Sequence, residues 1–75
     1  MATTKNNGSV QSVSSNGAAV VHYEGPPVED ITYTDLSAAQ IAQMNAGLGA
    51  GIKVDVTADH STNPATGCTG VVTHK

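Results

Sequence analysis

Five side chains between positions 55 and 68 carry what chemistry this chain has to offer: Asp55, Asp59, His60, Ser61 and the thiol of Cys68. The adjacent pair Asp59-His60 presents an oxygen and a nitrogen that a metal ion accepts, with His74 as a distant third ligand. Neighbouring residues on an extended chain point apart, however, and nothing here has the Cys/His spacing of a zinc site. A Cys68–His60 nucleophile pair has no motif to fix it, and so short a chain leaves little room for a water-excluded cleft. Cys68 reads more simply as a small, partly buried residue in a Thr/Gly turn. The residues therefore predict no catalytic site, no metal site, no cofactor and no enzyme.

Gly47, Gly49 and Gly51, within "LSAAQIAQMNAGLGAGIKVDV", have the look of a phosphate loop. Such a loop follows a strand and precedes a helix, so that the positive helix end faces the anion. Here the order is reversed, and the glycines follow the helix. Gly47 or Gly49 is expected to end it as a left-handed residue. Asn7-Gly8-Ser9 matches a glycosylation triplet and reads as chance without a secretory signal.

The elements that would position these residues are more legible. Ser37 with Gln40 fits a capping box, Leu36 and Ile41 flank it at staple spacing, and Asp35 lies near the positive end of the dipole. The spacing predicts a helix from Ala38 to about Ala46, with Ile41, Met44 and Leu48 as its apolar stripe. In "GIKVDVT", Ile52, Val54 and Val56 alternate with polar residues, which predicts a strand over 52–57 with one buried face. "VVTH" predicts a second strand over 71–74, Ile31-Thr32-Tyr33 a short one, and residues 58–70 a long polar loop. In "SVQSVSSNGAAVVHY", two β-prone runs flank Asn16-Gly17, a dipeptide that accepts positive φ. Residues 9–14 are expected to pair with 18–23 as a hairpin, or else to lie extended across another subunit. The fold class is α+β: one short helix on a small, mostly antiparallel sheet with an extended N-terminal arm or hairpin. The expected organisation is an arm over 1–25, a Pro-containing hinge over 26–30 and an α+β module over 31–75.

Seventy-five residues hold nine Val, three Ile, two Leu and two Tyr, with no Phe or Trp. Such a core is thin, and one cysteine forms no internal disulfide, so neighbours are expected to complete the fold. A net charge of −3 with three lysines gives no basic stripe for nucleic acid. No apolar run reaches the length of a membrane span, and "MATTKNNGS" lacks the apolar segment of a signal peptide, so synthesis and retention in a cytoplasm are expected.

In the Ala/Gly/Thr/Ser/Val composition, the polar arm "MATTKNNGSVQSVSS", the "GPP" hinge and the unit "LSAAQIAQMNAGLGAGIKVDVT", the whole chain resembles small virion proteins of tailed bacteriophages, of the capsid decoration, cement or head-fibre kind. The resemblance implies a non-enzymatic structural protein that docks on the major capsid protein or another virion protein. It also implies a homo-oligomer, a trimer among the forms such families take, located in the virion after assembly in the host cytoplasm. The arm residues expected to meet the partner are Val10, Val13, Val20, Val21 and Tyr23. A small soluble inhibitor or regulator, binding one host protein through its strand edges, is the alternative.

Overall fold

In a computed structural model that describes residues 2–25, 28–49 and 51–75, the polar segment at the start of the chain is a strand. β1 (Ala2–Val13) is followed by β2 (Ala19–Tyr23), β3 (Glu29–Tyr33), the helix α1 (Ala38–Ala46), β4 (Lys53–Asp59) and β5 (Thr66–His74). The five strands form one sheet in the order β3-β2-β1-β4-β5, with every ladder antiparallel. The class is α+β with the sheet dominant.

β1 is the central strand, and its two halves serve different neighbours. Residues Ala2 to Gly8 pair with β4, and Ser9 to Val13 pair with β2. Between the two halves, Asn7 takes φ 62° and the register shifts, the signature of a bulge that bends a strand. Gly8 is required at that bend, because a Cβ there would collide with Val21 Cγ1 and lie 2.7 Å from Tyr23 Cε1. The resulting stagger curls the sheet, as the shear of a barrel does. The far edge of β3 then meets the segment leading into β5: Ala65 N–H donates to Thr32 O (2.7 Å), and Thr34 N–H donates to Ala65 O (3.2 Å).

The hairpin forms at the expected place. Ser14 N–H donates to Ala18 O, Gly17 N–H donates to Ser14 O, and Gly17 alone of the Asn-Gly pair has positive φ. This is the three-residue hairpin loop that ends in a left-handed glycine.

The first twenty-five residues therefore do not stand apart as an arm, since β1 joins strands from both sides of the predicted hinge. Pro26 and Pro27 of that hinge lie outside the described residues. Val21 and Tyr23, assigned to a partner by the sequence, are buried inside the chain's own sheet, and Val10 and Val13 pack against the same core. Val20 is half-buried on the opposite face of β2. Alternation explains the split: Ala19, Val21 and Tyr23 face inward together. The predicted 58–70 loop shrinks as well, because β4 runs to Asp59 and β5 begins at Thr66.

The helix matches its predicted limits. Ser37 Oγ accepts from Gln40 N–H (3.2 Å), and Gln40 Oε1 accepts from Ser37 N–H (2.8 Å). Ser37→Ala is expected to cost about 1 kcal/mol of stability, read by urea denaturation. The helix end departs from expectation. Gly47 caps it at φ −73°, and the left-handed glycine of this stretch is Gly51. Gly47 is needed for space, since a Cβ would meet Val54 Cγ1 at 2.7 Å and Val10 Cγ2 at 2.8 Å. Met44 is fully buried, whereas Leu48 lies beyond the helix and is exposed.

Candidate functional site

Inward-facing residues of β1 build a polar cluster at one end of the curled sheet. Thr3 and Lys5 stand opposite Ala58 and Val56 of β4, both buried, so their side chains share the inner face. Thr3 Oγ1 lies 2.8 Å from His60 Nδ1, His60 Nε2 lies 2.8 Å from the Tyr33 hydroxyl, and that hydroxyl lies 2.6 Å from the Tyr23 hydroxyl. The His60 ring meets Tyr33 edge-on at 5.5 Å between centroids. Lys5 Nζ sits 5.7 Å from the centroid of the Tyr23 ring and 3.4 Å from Glu29 Oε2. Ala19, the cross-strand partner of Tyr33, is small and leaves space for its ring.

One consistent proton order runs through this chain of groups. With neutral His60 accepting at Nε2 from Tyr33, its Nδ1–H donates to Thr3 and Tyr23 donates to Tyr33. Burial holds the His60 pKa below the usual imidazole range, and Lys5 adds to the depression. Burial pushes the Tyr23 phenol up to about 12 and raises Tyr33 as well. The basic nitrogen of the neutral imidazole, Nε2, is taken up by the Tyr33 hydroxyl, so the bonding capacity of these groups is spent within the cluster. The cluster serves as a satisfied polar plug: among the described residues, no buried side-chain nitrogen or oxygen lacks a partner. Beside it, Lys5, Asn6, Asn7, Tyr23, Glu24, Gly25 and Glu29 line an open cleft of about 450 Å³.

The residues singled out by sequence are dispersed. Asp55 Oδ1 accepts from Asn7 N–H (3.0 Å) and from His74 Nε2 (2.9 Å), and the Asn7 bond is the larger cause of its lowered pKa. Ser61 bonds the Asp59 carboxylate from both its hydroxyl and its N–H, holding that group down to about 2. Cys68 is half-buried, and burial raises its thiol pKa. Asp59 and His60 therefore serve different neighbours, and His74 belongs to Asp55. Among the described residues, no three His, Cys, Asp or Glu side chains converge as metal ligands. Sequence reasoning missed Thr3, Lys5, Glu29 and Tyr33 as parts of one cluster. The alternation of Thr3 with Lys5 is the only local sign of it, and the Asn7-Gly8 bulge interrupts that pattern.

The three histidines respond to pH in opposite directions. Asp30 raises the His22 pKa, with Glu24 on its other ring nitrogen, and Asp55 raises that of His74. Each raised histidine contributes stability that is full below pH about 6.5 and lost as pH rises through its folded value. His60 has the reverse sign: the unfolded chain takes its proton more readily, so stability falls as pH drops below about 6.5. A His22→Gln/His74→Gln double variant is expected to lose stability between pH 7 and 5, and adding His60→Gln should flatten that slope. Urea midpoints across the range check both.

No helix of the described residues is long and apolar enough to cross a membrane. Comparison with protein families, with curated proteins and with solved structures finds no match to this chain.

Proposed function

We propose that this chain is a non-enzymatic structural protein of a virus particle, which docks on a capsid or larger assembly and decorates or stabilises it. The observation that carries the reading is the outer edge of β5. The backbone of β5 pairs with β4, and none of its other backbone-to-backbone bonds among the described residues reaches a further strand. An edge of free N–H and C=O groups accepts an added strand, with backbone bonds for affinity and side chains for selection. Val72, 62 % exposed, stands on the outer face of that edge while Val71 turns into the core.

The docking role that the sequence assigned to Val10, Val13, Val20, Val21 and Tyr23 passes in this reading to residues 69–74. Removing residues 1–23 would take out the central strand and unfold the chain, so it cannot report on docking. Val72→Lys can, because an exposed side chain is changed and the fold is kept. The partner is the major capsid protein or another virion protein, and the site of action is the particle.

Particles isolated from the producing host are expected to carry the chain in fixed ratio to the shell protein, and the Val72→Lys form is expected to be lost from them. Recovery of the chain only off the particles, bound to a single host protein, would replace this reading with that of an inhibitor or regulator.

A further inference from the structure

We propose that two copies of this chain pair along β5, antiparallel and related by a two-fold axis at Val72. The proposal rests on the docking reading and concerns the same edge in the free chain: off the particle its occupant is a second copy of this chain, which the virion protein replaces on assembly.

The two outer edges of the sheet are treated differently. Along β3, Asp30 O, Thr32 N–H, Thr32 O and Thr34 N–H all find partners in Asn63 and Ala65. That strand also carries Glu29 and Asp30, charges of the kind that discourage edge pairing. Along β5, Gln40 Nε2 donates to Cys68 O and the Cys68 thiol donates to Gly70 O (3.8 Å), so coverage of the backbone reaches Gly70. From Thr69 to Thr73 there is no charge and no proline, so the usual protections of an edge are absent.

The register about Val72 is self-complementary. In a two-fold antiparallel pair, the residue n places after the axis meets the residue n places before it. Val72 then faces Val72 of the second copy, covering the most exposed apolar side chain on this strand. His74 faces Gly70, where the Cβ position has nothing within 4 Å and an imidazole has room. No like charges are opposed, because His74, the sole titratable group of β5 apart from the Cys68 thiol, meets glycine and keeps its bond to Asp55. Val71 meets Thr73 on the inner face. The result is one continuous ten-stranded sheet with two-fold symmetry, distinct from the trimer that the virion resemblance implies. A single paired edge is a small interface, so the dimer should form in a concentration-dependent way.

Cysteine cross-linking fixes the register. In a Cys68→Ser background, Val72→Cys brings two thiols across the axis at the Cα spacing a disulfide spans. Val28→Cys, at an equally exposed site away from β5, is the control. On mild oxidation the Val72→Cys form is expected to become a covalent dimer at least tenfold faster than the control. Native mass spectrometry of the unaltered chain should show dimer rising with concentration, and Val72→Lys should stay monomeric with an unchanged thermal melt. Equal cross-linking of the two cysteine forms, or a monomer at every concentration, overturns the proposal. If the chain is monomeric and Val72→Lys still leaves the particle, self-pairing fails and docking stands. If the dimer forms and Val72→Lys remains on the particle, docking through β5 fails and self-pairing stands.

Discussion

Tyr33→Ala is expected to cost the fold about 3–5 kcal/mol, a large share of what a chain of this size has. Tyr33 is fully buried, and its hydroxyl joins Tyr23 to His60. Truncation opens a cavity and strands two polar groups together. Tyr33→Phe separates the effects: the ring remains, the Tyr23 hydroxyl and His60 Nε2 lose their common partner, and about 1–3 kcal/mol should go. Thermal melts followed by far-ultraviolet circular dichroism check both, at about 4–8 °C for each kcal/mol. A Tyr33→Phe melt equal to the unaltered protein would show that the relay contributes nothing to the fold.

Met44→Ala is expected to cost about 2–5 kcal/mol, while Leu48→Ala should change stability by no more than about 0.5 kcal/mol. The sequence places both on one apolar stripe. The structure separates them: Met44 is the fully buried residue of α1, and Leu48 is 48 % exposed past the Gly47 cap. Urea midpoints for the two variants read the contrast directly.

What the sequence made legible was local. The capping box at Ser37 and Gln40 lies within four residues, and it located the helix start. The alternation of Val54 and Val56 with Lys53, Asp55 and Thr57 located β4, and Asn16-Gly17 located the hairpin. What it hid depends on pairing between distant segments. Residues 2–8 contain no large apolar side chain and read as an arm, but the backbone pairs Ala2 with Asp59 and Lys5 with Val56. Strand pairing needs only the backbone and a compatible partner, so composition gave no sign of it.

The same limit applied to the candidate site. Asp59 and His60 are neighbours in sequence and take separate partners in space. Thr3 and His60 are 57 positions apart and share a bond. The poverty of large apolar residues led to the expectation that neighbours complete the fold; within the chain itself, polar side chains fill part of the interior. Two tyrosines, a histidine and a lysine stem close one end of the sheet, where a larger core would use phenylalanine or leucine.

Amide exchange along β5, compared between the dilute free chain and the assembled particle, tests the docking account most directly. Outward-facing amides between 69 and 74 are expected to exchange rapidly in the free chain and to slow on assembly, with β1 protected in both. Unchanged exchange along β5, with new protection confined to the 14–18 hairpin turn, would contradict it.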